Sequence, residues 1–333
     1  MLTRLIAICA LALLATPLWC QPKVGDDAPN FKVKGNVINP QEAITLADCK
    51  SDVILIKEWQ VRDMESASEM PTVQKYWTER GGKGLHAFII HRLDFEKTQD
   101  VLEYCADKNY TFCVPMGGFY DASDFSAYKT EKSFRTTIIG VDGKVAFYGK
   151  TGWQEVLDAE LKKCVYPGLT QHLVAKQVEK AAGFFASREY GKAITEADKL
   201  IESTDEAIKA DATLVKSRSE LFAAALRGRI DKAKEERRYL KALDLLERMS
   251  KEFRLHEIGT NAEAEIKAMR ADKALKTELK AWENLGKVLE SNKKKDRTMR
   301  ANSLRAFAKA NPGMKAAEDA EAMAGVLERS LNE

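Results

Sequence analysis

Apolar residues are spaced in three different ways along this chain. Close to the start, "LIAICALALLATPLW" is an unbroken apolar stretch behind the basic "MLTR". From about residue 50 to residue 165, apolar runs of strand length alternate with amphipathic stretches of helix length. "DVILIKEW", "LHAFIIH", "YTFCVPM", "SFRTTIIGV" and "KVAFYG" are predicted strands, with Asp142-Gly143 as the turn before the last of them. "SEMPTVQKYWTERGG", "EKTQDVLEYCADKN" and "WQEVLDAELKKC" are predicted helices. Strands followed by helices and then by a hairpin and a last helix imply a mixed sheet with helices on both faces. Beyond "CVYPGL", ending at Leu169, the pattern is helical to the end.

Proline marks the same change. Pro22, Pro29, Pro40, Pro71, Pro115 and Pro167 punctuate the first half, and none follows until Pro312. A proline-free run rich in Ala, Leu, Lys and Glu is a helical domain. Within it "GTNAEAEIKAM" (Gly259 to Met269) and "GMKAAEDAEAM" (Gly313 to Met323) recur, each behind an amphipathic helix ("LERMSKEF" and "LRAFAKAN"). "AAGFFASREYGKAITEADKLI" resembles the helix-turn-helix of a tetratricopeptide repeat, with Ala181, Phe185, Tyr190, Ala193 and Ala197 at its small and aromatic positions. Small residues let paired helices approach closely, and stacked pairs bury faces that no pair could bury alone. The expectation is an irregular helical-repeat domain that binds a protein partner, with "SNKKKDR" as a solvated loop between helices.

Composition narrows this picture. The 333 residues leave room for two domains, and 53 basic against 50 acidic residues give no strong field for nucleic acid or a membrane surface. The basic start and its apolar run read as an export signal, short for a membrane span. Three segments are therefore expected: a signal peptide over 1–20, an α/β domain over 23–167 and an α-helical domain over 170–333. Trp19 stands where a lipidation site needs a small residue before Cys20, so simple cleavage near Cys20 is favoured over acylation. The mature chain is then expected in the periplasm or outside the cell, on a membrane only if the signal is retained or Cys20 is lipidated.

Outside the cytoplasm disulfides persist, and without Cys9 and Cys20 four cysteines remain: Cys49, Cys105, Cys113 and Cys164. They allow three pairings. Cys105 and Cys113 are close enough in sequence to close a small loop; four buried thiols are the equal alternative.

At this point a resemblance becomes specific. "VGDDAPNFKV", "ITLADCKSDVILI", "SEMPTVQKYW", "GLHAFIIH", "YTFCVP" and "IIGVDGKVAFYGKTG" resemble, in order, the successive segments of thioredoxin-like redoxins. This group holds alkyl-hydroperoxide-reductase-type and cytochrome-maturation-type thioredoxins. The resemblance covers roughly residues 23 to 165 and implies an α/β thioredoxin-like fold. Set against the family pattern Phe-Trp-Ala-x-Trp-Cys-x-x-Cys-x-x-Glu-Met-Pro, the stretch "EWQVRDMESASEMP" keeps Trp59, Glu69, Met70 and Pro71. Asp63 and Ser66 take the two cysteine places. The family needs thiols there because a helix N-terminus stabilises the attacking thiolate. No cysteine lies between Cys49 and Cys105, so no local shift of alignment supplies one. Asp63 is instead expected to cap the helix that follows. "KSFRTT" puts Phe134 or Arg135 where the family carries a cis-proline, and a trans peptide is expected there. Arg135 also resembles the arginine that steadies a peroxiredoxin thiolate; with no thiolate present it is expected to form a salt bridge, lie on the surface, or join Trp59 in a repurposed cleft.

Other chemistries find no residues. His86 and His91 are five apart on one strand, hence on opposite faces, while His172 and His256 stand alone on predicted helices. No phosphate loop, zinc spacing or serine elbow occurs, and no cofactor is expected. The aromatic "GGFYDASDFSAY" either lines a pocket or packs as a loop. The favoured expectation is a non-catalytic binding or scaffold module in the cell envelope; the alternative is an oxidoreductase or antioxidant redoxin using Cys105 and Cys113 or a partner's thiols.

Overall fold

In the computed structural model, residues 22–41, 44–92, 97–116, 125–128 and 134–329 are described; the expected signal peptide with Cys20, and most of "GGFYDASDFSAY", lie outside them. The first half is built on six strands: β1 (Val37–Ile38), β2 (Val53–Trp59), β3 (Leu85–His91), β4 (Val114–Pro115), β5 (Thr136–Ile139) and β6 (Val145–Gly149). The last four-stranded sheet has the order β3-β2-β5-β6, with β2 and β3 parallel and the other neighbours antiparallel, while β1 pairs with β4. Four helices accompany them: α1 (Met64–Ser68), α2 (Met70–Arg80), α3 (Thr98–Lys108) and α4 (Trp153–Leu161).

The continuous apolar run of β2 reflects burial on both faces: every residue from Val53 to Trp59 is buried. Alternation then divides it. Val53, Leu55 and Trp59 join a core with Met70 and Val73 of α2, Val101 and Cys105 of α3, and Trp153 and Leu157 of α4. Ile54 and Ile56 join a second core on the opposite face with Phe31, Val33, Cys49, Phe88, Phe125 and Tyr128. Among the described residues, then, the second face is covered by the N-terminal segment and the short turn at Phe125–Tyr128, where the sequence pattern led us to expect helices.

The second half is helical: α5 (Glu179–Ala186), α6 (Tyr190–Asp198), α7 (Glu206–Glu235), α8 (Tyr239–Glu252), α9 (Glu257–Ala271), α10 (Lys273–Asn292), α11 (Arg297–Ala310) and α12 (Lys315–Arg329). Consecutive helices pack on one another around two cores. One runs from Leu169 to Leu279, and the other gathers small residues (Ala281, Ala301, Ala316, Ala320, Ala324) around Leu285, Leu304 and Phe307. Of the two similar eleven-residue segments, one lies within α9 and the other leads into α12. Neither His172 nor His256 lies within a helix. His172 is in the connection before α5, and His256 caps α9 by accepting the Ile258 amide at Nδ1, 3.3 Å.

The two halves touch at separate points. The Gly168 amide donates to Asp52 beside β2, Arg188 donates to the Gly82 carbonyl at 2.7 Å, and Arg300 of α11 pairs with Asp107 of α3 at 2.8 Å. Among the described residues no helix is long and apolar enough to cross a membrane.

Candidate functional site

The C-terminal end of β2 runs into a turn, and the turn starts α1. Asp63 is the residue before that helix, in extended conformation, and its Oδ1 accepts the Ser66 amide at 2.7 Å. This satisfies one of the free donors of the first helical turn and places a negative charge at the positive end of the helix. Ser66 is buried. Its hydroxyl accepts the Gln60 amide at 3.2 Å and lies 3.3 Å from the Asp63 carbonyl. Both side chains are thus committed to closing the turn. The helix breaks at Glu69, and Pro71 opens α2, where its missing N–H costs nothing.

Beneath the turn lie charges that the apolar reading of β2 did not reveal. Lys57 is only 1% exposed, facing the helical core; its Nζ pairs with Glu69 Oε2 at 2.9 Å and donates to Thr136 Oγ1 at 2.9 Å across the β2–β5 ladder. The Trp153 indole donates to the same Glu69 oxygen at 3.2 Å. Glu58, also 1% exposed, points to the other face and accepts from Arg92 Nε at 3.0 Å. Burial of an ion is costly unless it is paired and hydrogen-bonded, and each of these is. Two arginines complete the edge: Arg92 lies 5.0 Å over the Phe134 ring and Arg135 5.1 Å over the Tyr148 ring. The Phe134–Arg135 peptide is trans, as all described peptides are. Trp59 is fully buried, edge-on to His91 with ring centroids 5.2 Å apart, and its indole nitrogen has no hydrogen-bond partner. Trp59 and Arg135 therefore belong to the same end of the sheet, Trp59 below the surface and Arg135 half-buried at it.

The cysteines lie elsewhere, and all four described ones are free thiols. A Cys105–Cys113 bridge, one of the two readings the sequence left open, is absent from this structure. Phe112, Cys113 and Val114 alternate between faces, so Cys113 enters the second core while Cys105 enters the first. Burial pushes each of these two thiols up to about 12, and it raises Cys164 well above the ordinary thiol range, helped by the Asp52 carboxylate. His86 and His91 do point to opposite faces. His91 is held down to about 4 by burial, whereas His86 pairs with Asp52 at 2.9 Å. Among the described residues no group of three or more His, Cys, Asp or Glu could hold a metal ion. In the helical half, Arg237, Tyr239, Leu275, Glu278, Pro312 and Met314 line a groove of about 380 Å³.

No family model and no curated protein matches the chain. Among solved structures, its N-terminal part is similar to a protein assigned as thiol:disulfide interchange protein DsbE from Chlorobium tepidum: 18% identity over 42% of this chain and 99% of that one, TM-score 0.35. The thioredoxin domain of a thiol-disulfide oxidoreductase from Bacteroides vulgatus gives 15%, 43% and 98%, with TM-score 0.34. A secreted thiol-disulfide isomerase from Corynebacterium glutamicum gives 18%, 39% and 82%, with TM-score 0.32.

Proposed function

We propose that this is an exported thioredoxin-like protein whose redox turn has lost its dithiol, and that it serves as a binding or scaffold module in the cell envelope. Asp63 and Ser66 are the degenerate cysteine positions in this reading. The first domain keeps the frame of the turn, and the helical half, read as irregular repeats of tetratricopeptide type, offers the surface for a protein partner. One observation carries the proposal: both side chains at the motif positions are spent on the backbone of the turn, Asp63 on the Ser66 amide and Ser66 on Gln60. A carboxylate and a hydroxyl so placed cannot exchange disulfides, and the turn holds no thiol. The alternative dithiol, Cys105 with Cys113, is disfavoured by its division between two cores.

The experiment is reduction of insulin by dithiothreitol in the presence of the purified protein. The expected outcome is no acceleration over dithiothreitol alone. Acceleration that disappears when the protein's thiols are alkylated overturns the proposal.

A further inference from the structure

The chain as a whole is close to charge balance, but one helix of the second half carries an unbalanced face. Lys273, Lys276, Lys280 and Lys287 of α10 are separated by three, four and seven residues, the spacing of a single helix face, and all four are exposed. The stripe they form is about 20 Å long. Among the described residues none of the four ammonium groups makes an ion pair or a hydrogen bond. The acids of the same helix do not neutralise the stripe. Glu278 is turned inward to Arg237, and Glu290 stands 4.0 Å from Lys293, which leaves Glu283 as the one carboxylate beside four lysines. Lys294 and Lys295 follow, also exposed, in the loop to α11.

Beside the stripe the surface is concave. The groove of about 380 Å³ is bounded by Leu275 and Thr277 of α10, by Tyr239 of α8, and by Pro312 and Met314 of the turn before α12. Thr277 lies four residues after Lys273 and three before Lys280, so the rim of the groove and the stripe are neighbours on the helix surface. The charges in the groove wall are already matched: Glu278 pairs with Arg237 and accepts the Lys315 amide at 3.3 Å, while Arg237 donates to the Gly313 carbonyl at 3.1 Å. What the groove offers a visitor is therefore apolar contact. Its volume is at the small end of ligand pockets and suits a side chain, not a whole helix.

The two features together ask for one kind of partner. A lipid surface or a nucleic acid would match the lysines and leave the groove unused, and an uncharged apolar peptide would fill the groove and leave the lysines unmatched. We propose that α10 and the groove beside it bind an acidic segment of a partner protein, with an apolar side chain in the groove and neighbouring carboxylates on Lys273, Lys276, Lys280 and Lys287. The inference rests on the reading of the helical half as a partner surface and names the chemistry of that partner. Exposed ion pairs contribute little each, so the lysines select the partner and speed its arrival, while the apolar anchor holds it.

The test is selection of a random dodecapeptide library on the immobilised full chain, followed by fluorescence anisotropy of the enriched peptides. These are expected to carry several Asp or Glu around an aromatic or aliphatic residue and to bind more weakly as salt is raised. Replacing that apolar residue by Ser in the peptide, or Lys273→Glu combined with Lys280→Glu in the protein, is expected to weaken binding at least about tenfold. Salt dependence and the peptide's own substitution are read on the unaltered chain, so they decide the matter even where the variant fails to fold. Enriched peptides without an acidic bias overturn this inference and leave the proposed function standing; a library from which nothing is enriched counts against both. Acidic peptides that bind the folded double variant as tightly as the parent, or no tighter than an oligonucleotide of equal charge or vesicles of phosphatidylglycerol, also overturn it.

Discussion

Lys57 and Glu69 form an ion pair of 2.9 Å under the turn, and the burden of burial falls unequally: the lysine side chain is 1% exposed and the glutamate 31%. Removing the glutamate strands a buried ammonium with only the Thr136 hydroxyl, whereas removing the lysine leaves a carboxylate that water reaches. Glu69→Leu is therefore expected to cost roughly 2–3 kcal/mol and Lys57→Met less than about 1 kcal/mol. Urea unfolding midpoints check this, and equal losses, or a larger loss for Lys57→Met, contradict it.

The cap at Asp63 gives a smaller effect of definite chemistry. Asp63→Ala removes the acceptor of the Ser66 amide and is expected to cost about 1 kcal/mol, while Asp63→Asn keeps an acceptor and costs only a few tenths. The same unfolding measurement separates them. Identical losses would mean that charge, and not the hydrogen bond, matters here.

Two histidines set opposite limits on stability with pH. For His86, burial opposes the charged ring, but Cys49 and Asp52 outweigh it and push the ring up to about 10. Raised above the ordinary value of about 6.5, it contributes stability that is complete below 6.5 and lost as pH rises toward 10. For His91, burial holds the ring down to about 4, so stability present above 6.5 is lost as pH falls toward 4. Together they place a maximum near pH 6.5. His86→Gln is expected to flatten the alkaline side alone, and a variant that changes only the acid side refutes the assignment.

What the sequence made legible was whatever depends on local pattern. The β2 and β3 runs, α2, α3, the Asp142-Gly143 hairpin and the helical second half stand where apolar spacing put them, because each signal lies within one element. The N-cap at Asp63 was legible for the same reason. Charges within β2 escaped, since Lys57 answers to Glu69 and Thr136, and Glu58 to Arg92, partners that only the folded sheet assembles. Their signal was present all the same: adjacent opposite charges inside a run otherwise too apolar to reach water. The choice between a Cys105–Cys113 bridge and free thiols was not legible, because nearness in sequence says nothing about which face of a strand a residue takes. The pair Asp52 and His86 was invisible because only the folded sheet sets the start of β2 beside β3.

Two helical glycines are expected to respond with opposite signs. A Cβ on Gly191 of α6 would stand 2.6 Å from the Arg254 carbonyl oxygen, whereas one on Gly183 of α5 would meet nothing within 4 Å. Gly183→Ala is expected to gain up to about 1 kcal/mol through helix propensity. Gly191→Ala is expected to lose about 1–3 kcal/mol because backbone must move to admit it. Thermal unfolding of the two variants beside the parent decides this.

The proposed survival of a redox turn's frame with its chemistry removed is tested most directly by restoring the thiols: Asp63→Cys combined with Ser66→Cys, assayed for insulin reduction beside the unaltered protein. The unaltered protein is expected to stay at the background of dithiothreitol alone, and the folded double variant to gain activity that alkylation abolishes. An active unaltered protein, or a folded double variant that remains inert, contradicts it.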